Sequence, residues 1–338
     1  MSGIPPYATM PQRVWYYTFR VICGLIFAFL ITPILVVMPL SFNAQDFFTF
    51  TPEMLRLDPE GYSLKHYRDM LGDDGNPWTG LWIGCALGVA WAAFGIYRRG
   101  SVSLMSLLPV VVLSLFGLII GKLTGATGDW MVALRNSLLI APVATVLSVG
   151  FGTLAAIGLS QPHVPFRRAI MAIMISPMIV PLIISAAGMY FFYSRIGLQG
   201  EYLGVVLAHA ALGIPFVIIT VTATLVGFDR SLTRAAANMG ADPVTTFFRV
   251  QMPLILPGVI SGGLFAFITS FDEVVVVIFV GSAKQQTLPW QMFTGLREQI
   301  SPTILAVATV LVGISICLLA TVEFLRRRSE RLRGMSPS

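Results

Sequence analysis

About eight apolar runs divide this chain of 338 residues, and their length is what most limits the folds open to it. They cover roughly residues 18–40, 78–97, 104–121, 136–159, 168–193, 202–227, 253–280 and 303–325. At 1.5 Å per residue, a helix of about 20 residues crosses a hydrocarbon core of about 30 Å. Inside lipid each backbone N–H and C=O must find its partner within the segment, which a helix provides. With 56% hydrophobic and 11% charged residues, the chain has too little charge to cover a soluble protein of this size. The expected fold class is all-α: a polytopic membrane protein with about eight transmembrane helices.

The polar lead 1–17 precedes a first run longer than a signal-peptide core, so residues 18–40 are expected to stay as a transmembrane helix. Residues 41–77 carry Asp46, Glu53, Asp58, Glu60, Asp69, Asp73 and Asp74 and are expected in water, on the periplasmic side. The runs within 78–121 meet at Arg98 and Arg99 and read as an inserted helix pair, which enters the membrane and returns to the same side. Gly84, Gly88 and Ala92 stand four apart there, a small-residue stripe suited to close helix packing.

The formal charge of +6 follows the same logic. Arg13 and Arg20, the pairs Arg98–Arg99 and Arg167–Arg168, then Arg230, Arg234 and Arg249, and the tail from Arg326 to Arg333 all fall on one side of the membrane. By the positive-inside tendency that side is the cytoplasm, with both termini there. The basic tail 326–338 then reads as an anchor at anionic lipid headgroups and not as a nucleic-acid arm. Cys23, Cys85 and Cys317 lie singly in separate runs, which gives neither a disulfide framework nor a metal cluster.

A chain of this kind can be a transporter subunit, a carrier driven by an ion gradient, a channel or a scaffold. It lacks a phosphate-binding loop of its own: Gly117, Gly121 and Lys122 have three residues between the glycines instead of four and no hydroxyl to hold Mg2+. Between residues 228 and 253 lies a polar stretch in which Arg234-Ala235-Ala236 suits a helix, Gly240 a turn, and Pro253 the start of a further helix. The following run carries Asp272 and Glu273. Intramembrane carboxylates are costly unless they face water, a partner or a ligand. Neighbours on a helix diverge by about 100°, so one acid is expected to line a passage and the other to pair elsewhere. Phe265, Phe267 and Phe271 read as packing, with cation–π contact as the alternative. His209 reads as a hydrogen-bonded interior residue, and Pro177, Pro181 and Pro215 as kinks around a pathway or for packing.

The spacing Arg234-Ala235-Ala236-x3-Gly240-x9-Val250-x-Met252-Pro253 resembles the E-A-A-x3-G-x9-I-x-L-P loop of type I ABC importer permeases. The segment SFDEVVVVIFVG that follows is similar to their spermidine/putrescine branch. The resemblance covers residues 20 to 325 apart from the inserted pair, and makes 130–325 the permease core. It implies that Ala235, Ala236, Gly240 and Pro253 couple the chain to a separate ATP-hydrolysing subunit, which would use ATP and Mg2+. Arg234 departs from the family Glu. The implied partners are a second homologous permease, two cytoplasmic ATPase subunits and a periplasmic solute-binding protein, in a bacterial inner membrane. The chain itself is expected to be no enzyme and to bind no cofactor. Asp272 and Glu273 become candidates for contact with a small cationic solute such as putrescine or spermidine. An iron, thiamine or opine permease, and an ion-gradient carrier with Asp272 as its ion site, remain the alternatives.

Overall fold

The computed structural model describes residues 9–72, 128–161, 163–298 and 302–313, with a few isolated positions besides. In chain order its helices are α1 (Met10–Leu40), α2 (Pro52–Leu55), α3 (Lys65–Leu71), α4 (Asp129–Ser160), α5 (Arg167–Ile179), α6 (Leu182–Ile196), α7 (Tyr202–Val226), α8 (Arg230–Asn238), α9 (Pro243–Thr246), α10 (Met252–Phe271), α11 (Val275–Val280), α12 (Leu288–Glu298) and α13 (Thr303–Gly313). Among the described residues, four helical stretches are long and apolar enough to cross a membrane, or five if the bent pair α5–α6 is one span. The chain is thus a helical polytopic membrane protein. Apart from isolated positions, the inserted pair 78–121 and the tail 326–338 lie outside the described residues, and the run 303–325 is described continuously only as far as Gly313.

The chain divides into two units, residues 1–73 with 295–338, and residues 74–294. In the first, α1 leads into a small polar cap. The Asn43 amide donates to the carbonyls of Phe47 and Thr49, and its Oδ1 accepts from the Gln45 N–H. Lys65 pairs with Asp46 at 2.9 Å, and its hydrogen bond holds the Asp46 carboxyl below its ordinary range. The acidic stretch therefore closes on itself through side-chain bonds to a turn, as a segment outside lipid can.

In the second unit α4, α7 and α10 pack against one another, and α11 packs on α6 and α7. Lipid offers no hydrophobic drive between helices, so close approach of backbones and a few buried polar ties hold such a bundle. At Gly262 a Cβ would fall 2.7 Å from the Val217 Cα, so α10 can lie on α7 only with glycine there. Ser148 donates its hydroxyl across to the Ala210 carbonyl at 3.0 Å.

Two runs expected as unbroken crossings are interrupted. Residues 168–193 form α5 and α6, bent by 102° at Val180 and Pro181. Proline disfavours helical geometry in the residue before it, and Val180 is extended with ψ of 137°. Pro181 makes the break, whereas Pro177 and Pro215 stay inside their helices. The run 253–280 is likewise two helices, with Asp272, Glu273 and Val274 between α10 and α11. The β-branched run from Val274 to Val277 is a weak helix former, and the Glu273 carboxylate accepts from the Val276 N–H at 2.9 Å, offering that backbone a competing partner.

Candidate functional site

The polar stretch 228–253 folds into a two-helix knob whose ends are fixed by side chains. Asp229 caps α8, its carboxylate accepting from the N–H of Ser231 at 2.8 Å and from the Ser231 hydroxyl at 2.7 Å. These bonds, with a smaller contribution from Arg234, hold the carboxyl below its ordinary range. At the other end the Ala241 N–H reaches back to the Ala236 carbonyl and the Gly240 N–H to the Ala237 carbonyl, both at 3.0 Å. That pair of bonds closes a helix only when the intervening residue is left-handed, and Gly240 has φ of +82°. The "Gly turn" read from the sequence is thus a Schellman closure that ends α8 and turns the chain into α9.

Ala236 is half-buried on the inner side of the knob, where Thr233 meets the Gln251 amide at 3.5 Å. Arg234, Ala235 and Asn238 are exposed, and Met239 at the tip is 88% exposed. Pro253 sits in the first turn of α10, as the sequence suggested, but α10 is not detached from what precedes it. Pro243 starts α9 at its first position, a π-helical turn at Phe247–Gln251 follows, and the path continues into α10, so residues Pro243–Phe271 form one helical stretch of 29 residues. The knob's second arm and the membrane span are therefore a single rod.

The rod ends at the acid pair. Asp272 is the residue after α10, with its N–H still bonded to the Ile268 carbonyl, and its side chain is exposed. Glu273 is 6% exposed and occupied with the start of α11. The expectation of an uninterrupted helix carrying two acids is corrected: both sit in the break, pointing apart, one outward and one into the protein. Phe267 and Phe271 stack at 5.7 Å, and Phe265 lies against Phe216 at 6.0 Å. Those contacts are among aromatic rings, as packing requires.

Of the other polar ties around this end, the sequence singled out His209 but none of its partners, nor Asn136 or Ser137. His209 in α7 is 1% exposed and its Nδ1 meets the Ser270 hydroxyl of α10 at 2.8 Å, so the interior reading of that residue matches its position. The Asn136 amide donates to the Lys284 and Gln286 carbonyls at 2.9 and 2.8 Å while the Tyr202 hydroxyl lies 2.9 Å from its Oδ1. Ser137 accepts from the Leu288 N–H at 2.8 Å. Together they fix the loop that follows α11 onto α4 and α7. An asparagine at the head of an apolar run was the available signal, since a buried amide needs partners. No cluster of metal-ligating side chains occurs among the described residues.

Comparison with known proteins follows the same lines. A crystal structure of a bacterial ABC transporter involved in the import of the acidic polysaccharide alginate contains a chain that superposes with a TM-score of 0.54 at 16% identity, covering 94% of this chain and 98% of that one. That likeness is one of fold. The spermidine/putrescine transport system permease protein PotC of Haemophilus influenzae is 30% identical over 58% of this chain and 76% of its own length. The putrescine transport system permease protein PotI of Escherichia coli K12 is 32% identical over 60% of this chain and 75% of its own. The family model described as "Binding-protein-dependent transport system inner membrane component" matches residues 148–331, which takes in the knob, the rod and the acid pair. On that match, which spans more than half of its length, the chain belongs to the family of inner membrane components of binding-protein-dependent transport systems.

Proposed function

We propose that this chain is the permease subunit of an ATP-driven importer for a small cationic solute of the polyamine class, with putrescine and spermidine as the first candidates. The observation that carries the reading is the continuous rod from the Gly240 turn to Asp272. A push on the knob in the cytoplasm moves a packed helix as a body, because helices in a close-packed bundle shift as units instead of bending continuously. In this reading Ala235, Ala236, Gly240 and Pro253 belong to the surface gripped by a separate ATPase, which supplies ATP and Mg2+ chemistry that this chain does not perform. A second permease, two ATPase subunits and a periplasmic solute-binding protein complete the assembly, and both termini lie in the cytoplasm.

The solute class is supported by the named substrates of the two relatives and by the charge of Asp272, whose exposed carboxylate offers a transient counter-charge to an ammonium group. Glu273, tied to the Val276 N–H, sets the start of α11 in place. Crosslinking tests the coupling. A photoreactive or cysteine-directed probe at Asn238, exposed on α8, is expected to capture a nucleotide-hydrolysing subunit in native membranes. Capture of lipid alone would remove the coupling role and the importer assignment with it.

A further inference from the structure

We infer that Arg234 selects the partner of the knob: the cleft that receives α8 is apolar at its floor and presents a carboxylate to this guanidinium. The inference rests on the coupling role proposed above and specifies the chemistry of the other side. Residues 228–253 carry Asp229, Asp242, Arg230, Arg234 and Arg249. Both acids are committed locally. Asp229 bonds Ser231, and bonding to Thr245 holds the Asp242 carboxyl below its ordinary range. Arg234 is exposed, forms no close ion pair among the described residues, and interacts with Asp229 only as the smallest contribution to its lowered carboxyl. It stands one turn before Asn238 on the outward side of α8, beside a tip at which Met239 and Val244 are exposed. Apolar side chains at the tip of a rigid turn, with an exposed cation beside them, call for an apolar pocket with an acidic rim.

Anionic lipid is the other surface that would attract such a knob, and length argues against it. At 1.5 Å per residue the 29-residue stretch Pro243–Phe271 is about 43 Å long, against a hydrocarbon core of about 30 Å. With Phe271 near the outer boundary of the core, Pro243 stands about 13 Å beyond the inner one, past the headgroup layer. The tip at Met239 and Gly240 then faces the aqueous side, within reach of a protein.

The test uses the permease reconstituted in phosphatidylcholine nanodiscs and the ATP-hydrolysing subunit that co-purifies with it. Arg234→Glu is expected to weaken that association about tenfold at low salt, with the difference shrinking as ionic strength rises, while Arg234→Lys stays within a few-fold of wild type. Reversing one acidic residue of the ATPase cleft to lysine is expected to restore binding to the Arg234→Glu variant. Equal affinities and equal salt dependence for all three chains would overturn the inference. So would an effect of Arg234→Glu seen only on binding to phosphatidylglycerol vesicles. If Asn238 still crosslinks to the ATPase in that case, the coupling reading survives and only the acidic-rim inference fails. Absence of the crosslink in the wild-type chain removes both.

Discussion

Two residues carry conformational roles that can be separated from their chemistry. Around Gly240 a Cβ would meet nothing within 4 Å, so substitution there is opposed by the left-handed backbone alone. Gly240→Ala is expected to cost about 1–2 kcal/mol in the closure of α8, and Gly240→Asn less, because Asn tolerates that conformation. The check is ATP-driven uptake together with Asn238 crosslinking, which should fall in the order Gly, Asn, Ala; equal activity for Gly and Ala would mean that the turn does not matter for coupling. The acid pair is separable in the same way. Gln at 273 can still accept from the Val276 N–H, so Glu273→Gln should fold normally, whereas Glu273→Ala leaves that buried N–H unpaired at about 1–3 kcal/mol. Asp272→Asn is expected to lower putrescine or spermidine uptake about tenfold, on the order of 1.4 kcal/mol, without loss of protein from the membrane. Unchanged uptake would take Asp272 out of the solute path. For the Asp229 cap the sign is that of a lowered carboxylate: its contribution is complete above the ordinary value of 3.8 and is lost as pH falls through the lowered one. Crosslinking at Asn238 should therefore be flat between about pH 5 and 8 as far as this cap is concerned.

At the scale of elements, the interruptions matter more than the spans. Pro181 sets α5 and α6 at 102° to one another, with arms of 13 and 15 residues. At 1.5 Å per residue the arms are about 19 and 22 Å, so spin labels near Arg168 and Arg195 should lie about 26 Å apart, against about 42 Å for an unbroken helix. Pro181→Ala is expected to shift the measured distance upward, because the restriction on Val180 is lifted and its backbone can become helical. A distance near 26 Å in that variant would assign the bend to packing instead of to the proline. Among the described residues the crossings around 18–40, 136–159 and 202–227 were legible in the sequence, since long apolar runs have one solution in lipid. The Ala-rich helix and the glycine turn of residues 230–240 were legible as well, whereas the short helix that Pro243 opens was not read, because the sequence reading placed the next helix start at Pro253. What the sequence hid is where a run stops being one helix. Val274 to Val277 is apolar whether helical or not, and only the bond from the Val276 N–H to Glu273 shows why the rod ends at Phe271. The tie between His209 and Ser270 and the clamp around Asn136 were hidden for a related reason: their partners lie 61 to 150 residues away in the chain, and no local pattern encodes such a meeting.

For the whole molecule the question is what drives the movement, and the geometry bears on it directly. An ion-gradient carrier needs its ionisable group at a site that alternately meets both sides, usually between repeats that move against each other. Here the exposed acid lies at one end of a rod whose other end is a capped knob, so force enters at a distance from the charge. The polar ties, Ser148 to Ala210 and His209 to Ser270, join the helices of one three-helix bundle, so displacement of α10 is resisted by α7 and shared with it. A drive applied at Gly240 therefore reaches Asp272 through about 30 residues of continuous packing and can be spent before the acids are reached only by breaking those contacts. Proteoliposomes containing the chain with its co-purified partners should accumulate labelled polyamine when ATP is enclosed on the knob side. Uptake should stop with a nonhydrolysable analogue and continue when a protonophore collapses the ion gradient. The reverse pattern, uptake by the chain alone that a protonophore abolishes and ATP leaves unchanged, would make Asp272 an ion site and the knob an ordinary loop. A variant with Gly240→Val decides between the two most sharply. It leaves every residue at the acid end untouched, so a carrier would keep its activity, whereas a permease driven from the knob would lose uptake while its ATPase partner continued to hydrolyse nucleotide.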